Sequence, residues 1–148
     1  MHRVVAFFVL LIVTVPLSVL AADDFAGTVK NVHGAVVIKR QGKMFPAEMG
    51  MKVYVHDMIR TDSGGAVGII LQDNTIFSLG SDSELELEEF VFMPRQRSFA
   101  MLARMIRGTF VYMSGLIGKL SPDSVKIETP VGNIGIRGTR FAAKIHGE

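Results

Sequence analysis

Glu84-Leu85-Glu86-Leu87-Glu88 alternates carboxylate and leucine without a break. Successive side chains of an extended chain point to opposite faces. A period of two therefore puts Glu84, Glu86 and Glu88 on one side of a sheet and both leucines on the other, whereas a helix would scatter them. The stretch reads as a β-strand with one wet face and one buried face. Upstream, Gln72-Asp73-Asn74 turns into a strand over Thr75 to Leu79, and Ala66 to Leu71 is an apolar run suited to burial on both faces. Asp62-Ser63-Gly64-Gly65 is a turn. Met51 to Arg60 alternates, with Met51, Val53 and Val55 opposite Lys52, Tyr54 and His56. Gln41-Gly42 is a short hairpin turn between Ala35–Arg40 and Lys43–Ala47, and Pro46 confines the second of these to an edge. Phe25 to Val32 opens the series.

Downstream, residues 98–107 fit both a helix (Phe99, Leu102, Met105, Ile106) and a strand (Phe99, Met101, Ala103, Met105), and length does not decide between them. Thr109 to Met113, Val125 to Thr129, Gly132 to Arg137 and Thr139 to Ile145 read as strands. About ten short strands with frequent turns predict an all-β fold, a sandwich or roll-like barrel, in a single domain over residues 22–148. No repeat of fixed length is visible.

The chain has 148 residues, 49% apolar and 20% charged, which suits one folded domain and excludes bulk disorder. With no cysteine, thiol catalysis, zinc fingers and disulfides are excluded. A net charge of +2 leaves no footprint for nucleic acid. His2-Arg3, the apolar run from Val4 to Leu20 broken by Pro16, and Ala21-Ala22 read as a signal peptide over residues 1–21, cut after Ala21. The competing reading is an uncleaved anchor, because the run reaches the lower end of the roughly 17–25 residues a bilayer requires. Cleavage predicts a periplasmic or secreted protein with no membrane span.

Candidate chemistry is sparse. No Gly-x-Ser-x-Gly elbow occurs, and His33, His56 and His146 lie on different predicted strands. His56-Asp57 is the one His–carboxylate neighbour pair, and in regular strand geometry its members point apart. Met49-Gly50-Met51 near His56 has soft donors suited to Cu(I), but methionine as flexible core filler is the preferred reading. Gly132-x-x-Gly135-x-x-Gly138 lacks the spacing of a phosphate loop and the helix such a loop needs. No catalytic residue, cofactor or metal is therefore expected. Arg95, Arg97, Arg104 and Arg107 follow the acidic row and suggest cross-strand charge pairing. The alternative for Glu84, Glu86 and Glu88 is a face for a basic partner.

Two blocks carry a family resemblance. Ile59-Arg60-Thr61-Asp62-Ser63-Gly64-Gly65 through Gln72-Asp73-Asn74-Thr75 to Leu79-Gly80-Ser81-Asp82-Ser83-Glu84-Leu85 resembles the opening of a FecR-like domain. Ile127-Glu128-Thr129-Pro130-Val131-Gly132-Asn133-Ile134-Gly135-Ile136-Arg137-Gly138-Thr139-Arg140-Phe141-Ala142 is similar to the family's closing signature. The resemblance covers residues 57–146 and implies a bacterial cell-envelope β-domain that works by binding. In the namesake branch that domain is the periplasmic part of an anti-sigma regulator receiving a signal from an outer-membrane receptor. Only Met1, His2 and Arg3 precede the apolar run here, so the resemblance points to a stand-alone exported member without direct sigma-factor control. Within the signature, Thr129, Pro130, Gly135, Arg137, Gly138, Thr139 and Phe141 read as a structural corner. Pro130 withholds a ladder donor and Gly138 lets the chain turn sharply. The expected partner is an envelope protein. The alternative, a cell-wall glycan or other polymer, is weakened by two tyrosines and no tryptophan.

Overall fold

A computed structural model describes residues 24–136, 138 and 140–147. The leader expected over 1–21, together with Arg137 and Thr139 of the signature, lies outside the described residues. The strands are β1 Gly27–His33, β2 Val36–Arg40, β3 Lys43–Pro46, β4 Lys52–Val53, β5 Met58–Thr61, β6 Ala66–Leu71, β7 Ile76–Leu79, β8 Glu84–Met93, β9 Ser98–Met113, β10 Val125–Thr129, β11 Gly132–Ile134 and β12 Arg140–Ile145, with one short helix, α1, over Leu116–Leu120. The fold is all-β, with twelve strands among the described residues where about ten were expected.

Strand β9 is the spine. Its first half pairs antiparallel with β8 and parallel with β10, and its second half pairs antiparallel with β7 and β12. One curled sheet results. The strands β3-β2-β5-β8 and β10-β11 flank the first half of β9, and β4-β1-β6-β7 and β12 flank the second. Residues 98–107 are therefore strand: Phe99, Met101, Ala103 and Met105 turn inward at period two. The inward parity then changes to Phe110 and Tyr112. The change falls where Glu84 pairs with Arg107 and Leu85 with Met105, which leaves Ile106 as an extra residue. Gly108 follows at φ +98°, and a Cβ there would collide with Ser83. A β-bulge and a glycine thus hand the spine from one half of the sheet to the other.

The same device shapes β8. Leu85 and Leu87 face inward, Glu88 is the extra residue of a second bulge, and Phe90 and Phe92 pack inward beyond it. The doubled acid Glu88-Glu89 is the trace of that bulge in the sequence. Other expectations change too. Met51 to Arg60 is not one strand, because His56 at φ +69° breaks it between β4 and β5. The strand expected over Gly132–Arg137 stops at Ile134, and α1 was not foreseen. The Gln41-Gly42 hairpin stands, with φ +49° and +78°, the pair of left-handed residues a primed turn requires. Its second strand, β3, is an edge.

The core gathers between the two halves around Tyr112, Phe77, Phe110, Ile38, Ile59 and Leu85, all fully buried. Truncating an aromatic of this core, such as Phe110, removes about 3–5 kcal/mol.

Candidate functional site

The acidic row of β8 lies on the outer face of the sheet, and its charge is largely answered there. Glu84 is buried and receives two guanidinium groups, Arg60 at 3.2 Å and Arg107 at 3.4 Å. Glu88 is 2.6 Å from Arg104, whose other terminal nitrogen is 3.3 Å from Glu128 on β10. Glu86 stands between Met58 and Arg104 in the register and has no ion pair among the described residues. Cross-strand pairing therefore accounts for Arg104 and Arg107. Arg95 and Arg97 do not join it: they sit in the turn between β8 and β9, with Arg97 at φ +51°. Each exposed pair contributes on the order of 0–1 kcal/mol.

Two further acids, Asp57 and Asp73, are fully buried. Asp57 accepts bonds from Arg40 Nε at 2.8 Å, Arg40 Nη2 at 2.7 Å and the Tyr54 amide at 2.9 Å. The Arg40 guanidinium lies 4.4 Å from the Tyr54 ring centroid and 5.9 Å from that of Phe45, and it also donates to the Lys52 carbonyl. This cluster fastens the β2–β3 hairpin to the bend after β4. Asp73 accepts from the Thr75 amide at 3.0 Å, the Thr75 hydroxyl at 2.8 Å and the Ile117 amide at 3.1 Å, which ties α1 to the β6–β7 turn. Sequence reasoning placed Asp73 in a turn and Asp57 beside His56, and foresaw the burial of neither. The Asp-x-Thr spacing of Asp73 and Thr75 is the pattern of a local side-chain turn and could have revealed Asp73. No local pattern announces the contact between Asp57 and Arg40, 17 positions apart.

The histidines do not converge. His33 ends β1, His56 occupies the β4–β5 bend and His146 follows β12, all exposed. Among the described residues no group of three or more His, Asp or Glu is placed to hold a metal ion. The Tyr112 hydroxyl is buried without a partner at hydrogen-bonding geometry. Burial pushes its pKa above the ordinary 10.0, and the nearby Ser114 and Thr75 hydroxyls oppose that rise in part.

The described residues of the closing signature run from the end of β10 through β11 to the start of β12. Thr129 pairs with Gly132 across a two-residue turn of Pro130 and Val131, and its hydroxyl donates to the Gly132 carbonyl at 2.6 Å. Pro130 thus stands where the ladder needs no donor. Phe141, half-buried on β12, packs 5.3 Å from Tyr112, which in turn packs 5.5 Å from Phe77. Gly138 lies between β11 and β12. A Cβ at Gly135 or at Gly138 would meet nothing within 4 Å. Residues 134–136 and Gly138 together with Arg140, Phe141, Ala142 and Ala143 of β12 line a hollow of about 330 Å³.

The family model described as "FecR protein" matches residues 57–148, from the buried Asp57 through the spine to the signature. Among solved structures, a "Cell surface anchoring domain" is similar over 43% of this chain and 84% of its own length, at 23% identity and a TM-score of 0.41, a likeness too small to carry an argument. No curated protein matches the chain. The matched span exceeds half of the sequence and includes both blocks of the resemblance, and the chain belongs to the FecR family.

Proposed function

We propose that this chain is a non-enzymatic cell-envelope module that works by binding an envelope protein. On this reading the leader over 1–21 exports it to the periplasm or beyond, residues 22–148 do the binding, and the partner contact carries a signal. Among the described residues no helix is long and apolar enough to cross a membrane. The observation that carries the proposal is the use made of the buried acids: Asp57, Asp73 and Glu84 each accept from groups that hold the fold together. General acid–base work needs a carboxyl or imidazole poised towards a substrate, and none of these acids is. Family membership supports the envelope setting. On the outer face of β8, Glu86 is the acid of the row without an ion pair among the described residues, and it marks one surface for a basic partner.

Capture from an envelope extract with the purified full chain tests the reading. A specific protein recovered at low salt supports it. Recovery of peptidoglycan alone would turn the function towards polymer binding. Changing Glu84, Glu86 and Glu88 together to Gln is expected to weaken capture and flatten its salt dependence if that face is used. Unchanged capture removes the acidic face and leaves the rest of the surface.

A further inference from the structure

We propose that the outer edge of β12 receives an extended acidic segment of a partner protein as an added strand. This proposal deepens the binding-module reading and rests on it. Four strands among the described residues end a row of pairing: β3, β4, β11 and β12. Strand β3 carries Pro46, β4 has two residues and β11 has three. Short edges and prolines are the usual protection against unwanted pairing. Strand β12 has six residues, no proline, and an unshifted register against β9 from Arg140–Met113 to Ile145–Gly108. Every second residue of such an edge turns its amide and carbonyl outward, ready for another backbone.

The side chains say what kind of backbone fits. Arg140, Ala142 and Lys144 point outward, and Phe141, Ala143 and Ile145 inward. Arg140 faces Met113 across the ladder, Ala142 faces Val111 and Lys144 faces Thr109. Beyond them on β7 come Ile76 and Ser78. No carboxylate stands in these rows, and neither cation has an ion pair among the described residues. Lys144 borders a polar hollow with Asp82 and Arg107; Arg107 is held by Glu84, so Asp82 offsets part of the positive charge there and Arg140 carries most of the charge of this edge. Asp123 borders the next depression, beside Ile136 and Gly138. The edge is flanked by a hollow whose lining joins the apolar Ile134, Ile136, Phe141 and Ala143 with Arg140 and Ala142. A strand added here would set alternate residues against Arg140 and Lys144 and the others over that hollow. The matching pattern is acidic–apolar alternation. A second copy of β12 fits badly, because antiparallel self-pairing brings Arg140 and Lys144 of both copies together.

The test is fluorescence anisotropy of the full chain with a labelled eight-residue peptide alternating Glu and Val. The Glu–Val peptide is expected to bind at least tenfold more tightly than a Lys–Val peptide. N-methylation of alternate amides in the register that faces β12 should abolish binding. Arg140→Glu with Lys144→Glu should cost tenfold or more. Gly135→Val fills the hollow at a position that is not left-handed, and should weaken binding without changing the melting temperature. Equal binding of the N-methylated peptide in both registers, no preference for Glu over Lys, or a dimer in solution that these variants dissolve would overturn the proposal. Envelope capture undiminished by the Arg140/Lys144 variants would also sink it while leaving the binding-module reading intact; that reading fails instead if nothing is captured at all.

Discussion

The outer faces of the two halves of the sheet treat charge in opposite ways. Around the first half of β9, Arg60, Arg104 and Arg107 each meet a glutamate, and Glu128 on the neighbouring β10 completes the network. Around the second half, Arg140 and Lys144 face Met113 and Thr109. Both regions hang on one strand and use the same residue types. Basic side chains therefore say little until the register shows what stands opposite them: the first face is internally compensated, and on the second neither cation has an ion pair among the described residues.

The most disruptive way to break this comparison is to break the joint between its two sides. Gly108→Val places a β-branched residue at φ +98° and against Ser83. It is expected to cost more than about 3 kcal/mol, enough to leave much of the chain unfolded by circular dichroism at 37 °C. Next comes Asp57→Asn, which leaves Arg40 with a weaker acceptor. Arg40 keeps some access to water, so the expected loss in urea denaturation is about 2 kcal/mol rather than the full cost of an orphaned buried charge. The comparison itself is tested by a matched pair. Glu84→Gln leaves Arg60 and Arg107 facing each other and should lower stability by about 1 kcal/mol, less at high salt. Arg140→Gln should stay within about 0.5 kcal/mol of the parent, since it breaks no ion pair among the described residues. Equal effects of the two substitutions would show that the faces do not differ.

An effect of the opposite sign is expected at Tyr112. Tyr112→Phe removes a buried hydroxyl without a partner and should be neutral or stabilising by up to about 1 kcal/mol. Because burial raises its pKa in the fold, Tyr112 stabilises fully below pH 10 and loses that contribution as pH climbs through the higher native value. Thermal melts above pH 10 should fall less steeply for the phenylalanine variant.

The strands were legible where local chemistry alone decides them. Gln41-Gly42 specifies its turn, Pro46 its edge and Leu85/Leu87 their inward face. The acidic row was legible as a strand face, but which of its members stay open was not, because Arg60 and Arg107 reach Glu84 through partners distant in sequence. The two parity changes were hidden for a related reason. A bulge is an agreement between two strands, and a reader of one strand sees only an interrupted alternation, as at Glu88-Glu89 and at Ile106. The apparent continuity of Met51 to Arg60 misled because apolar alternation carries no record of a left-handed residue, and His56 is not glycine. The signature was visible as a block. Its place beside an open edge became visible only once β12 was set against β9.

The length of β9 has a kinetic consequence. Its partners β7, β8, β10 and β12 are drawn from positions 76 to 145, so the ladder around the spine cannot close until residue 145 has been made. The parallel pairing of β9 with β10 adds a crossover that must be organised before it yields any contact. Non-local topologies of this kind fold in milliseconds to seconds rather than microseconds. A nascent polypeptide ending anywhere before β12 would have no finished ladder around the spine to fall into, and would stay pliable until that strand arrived.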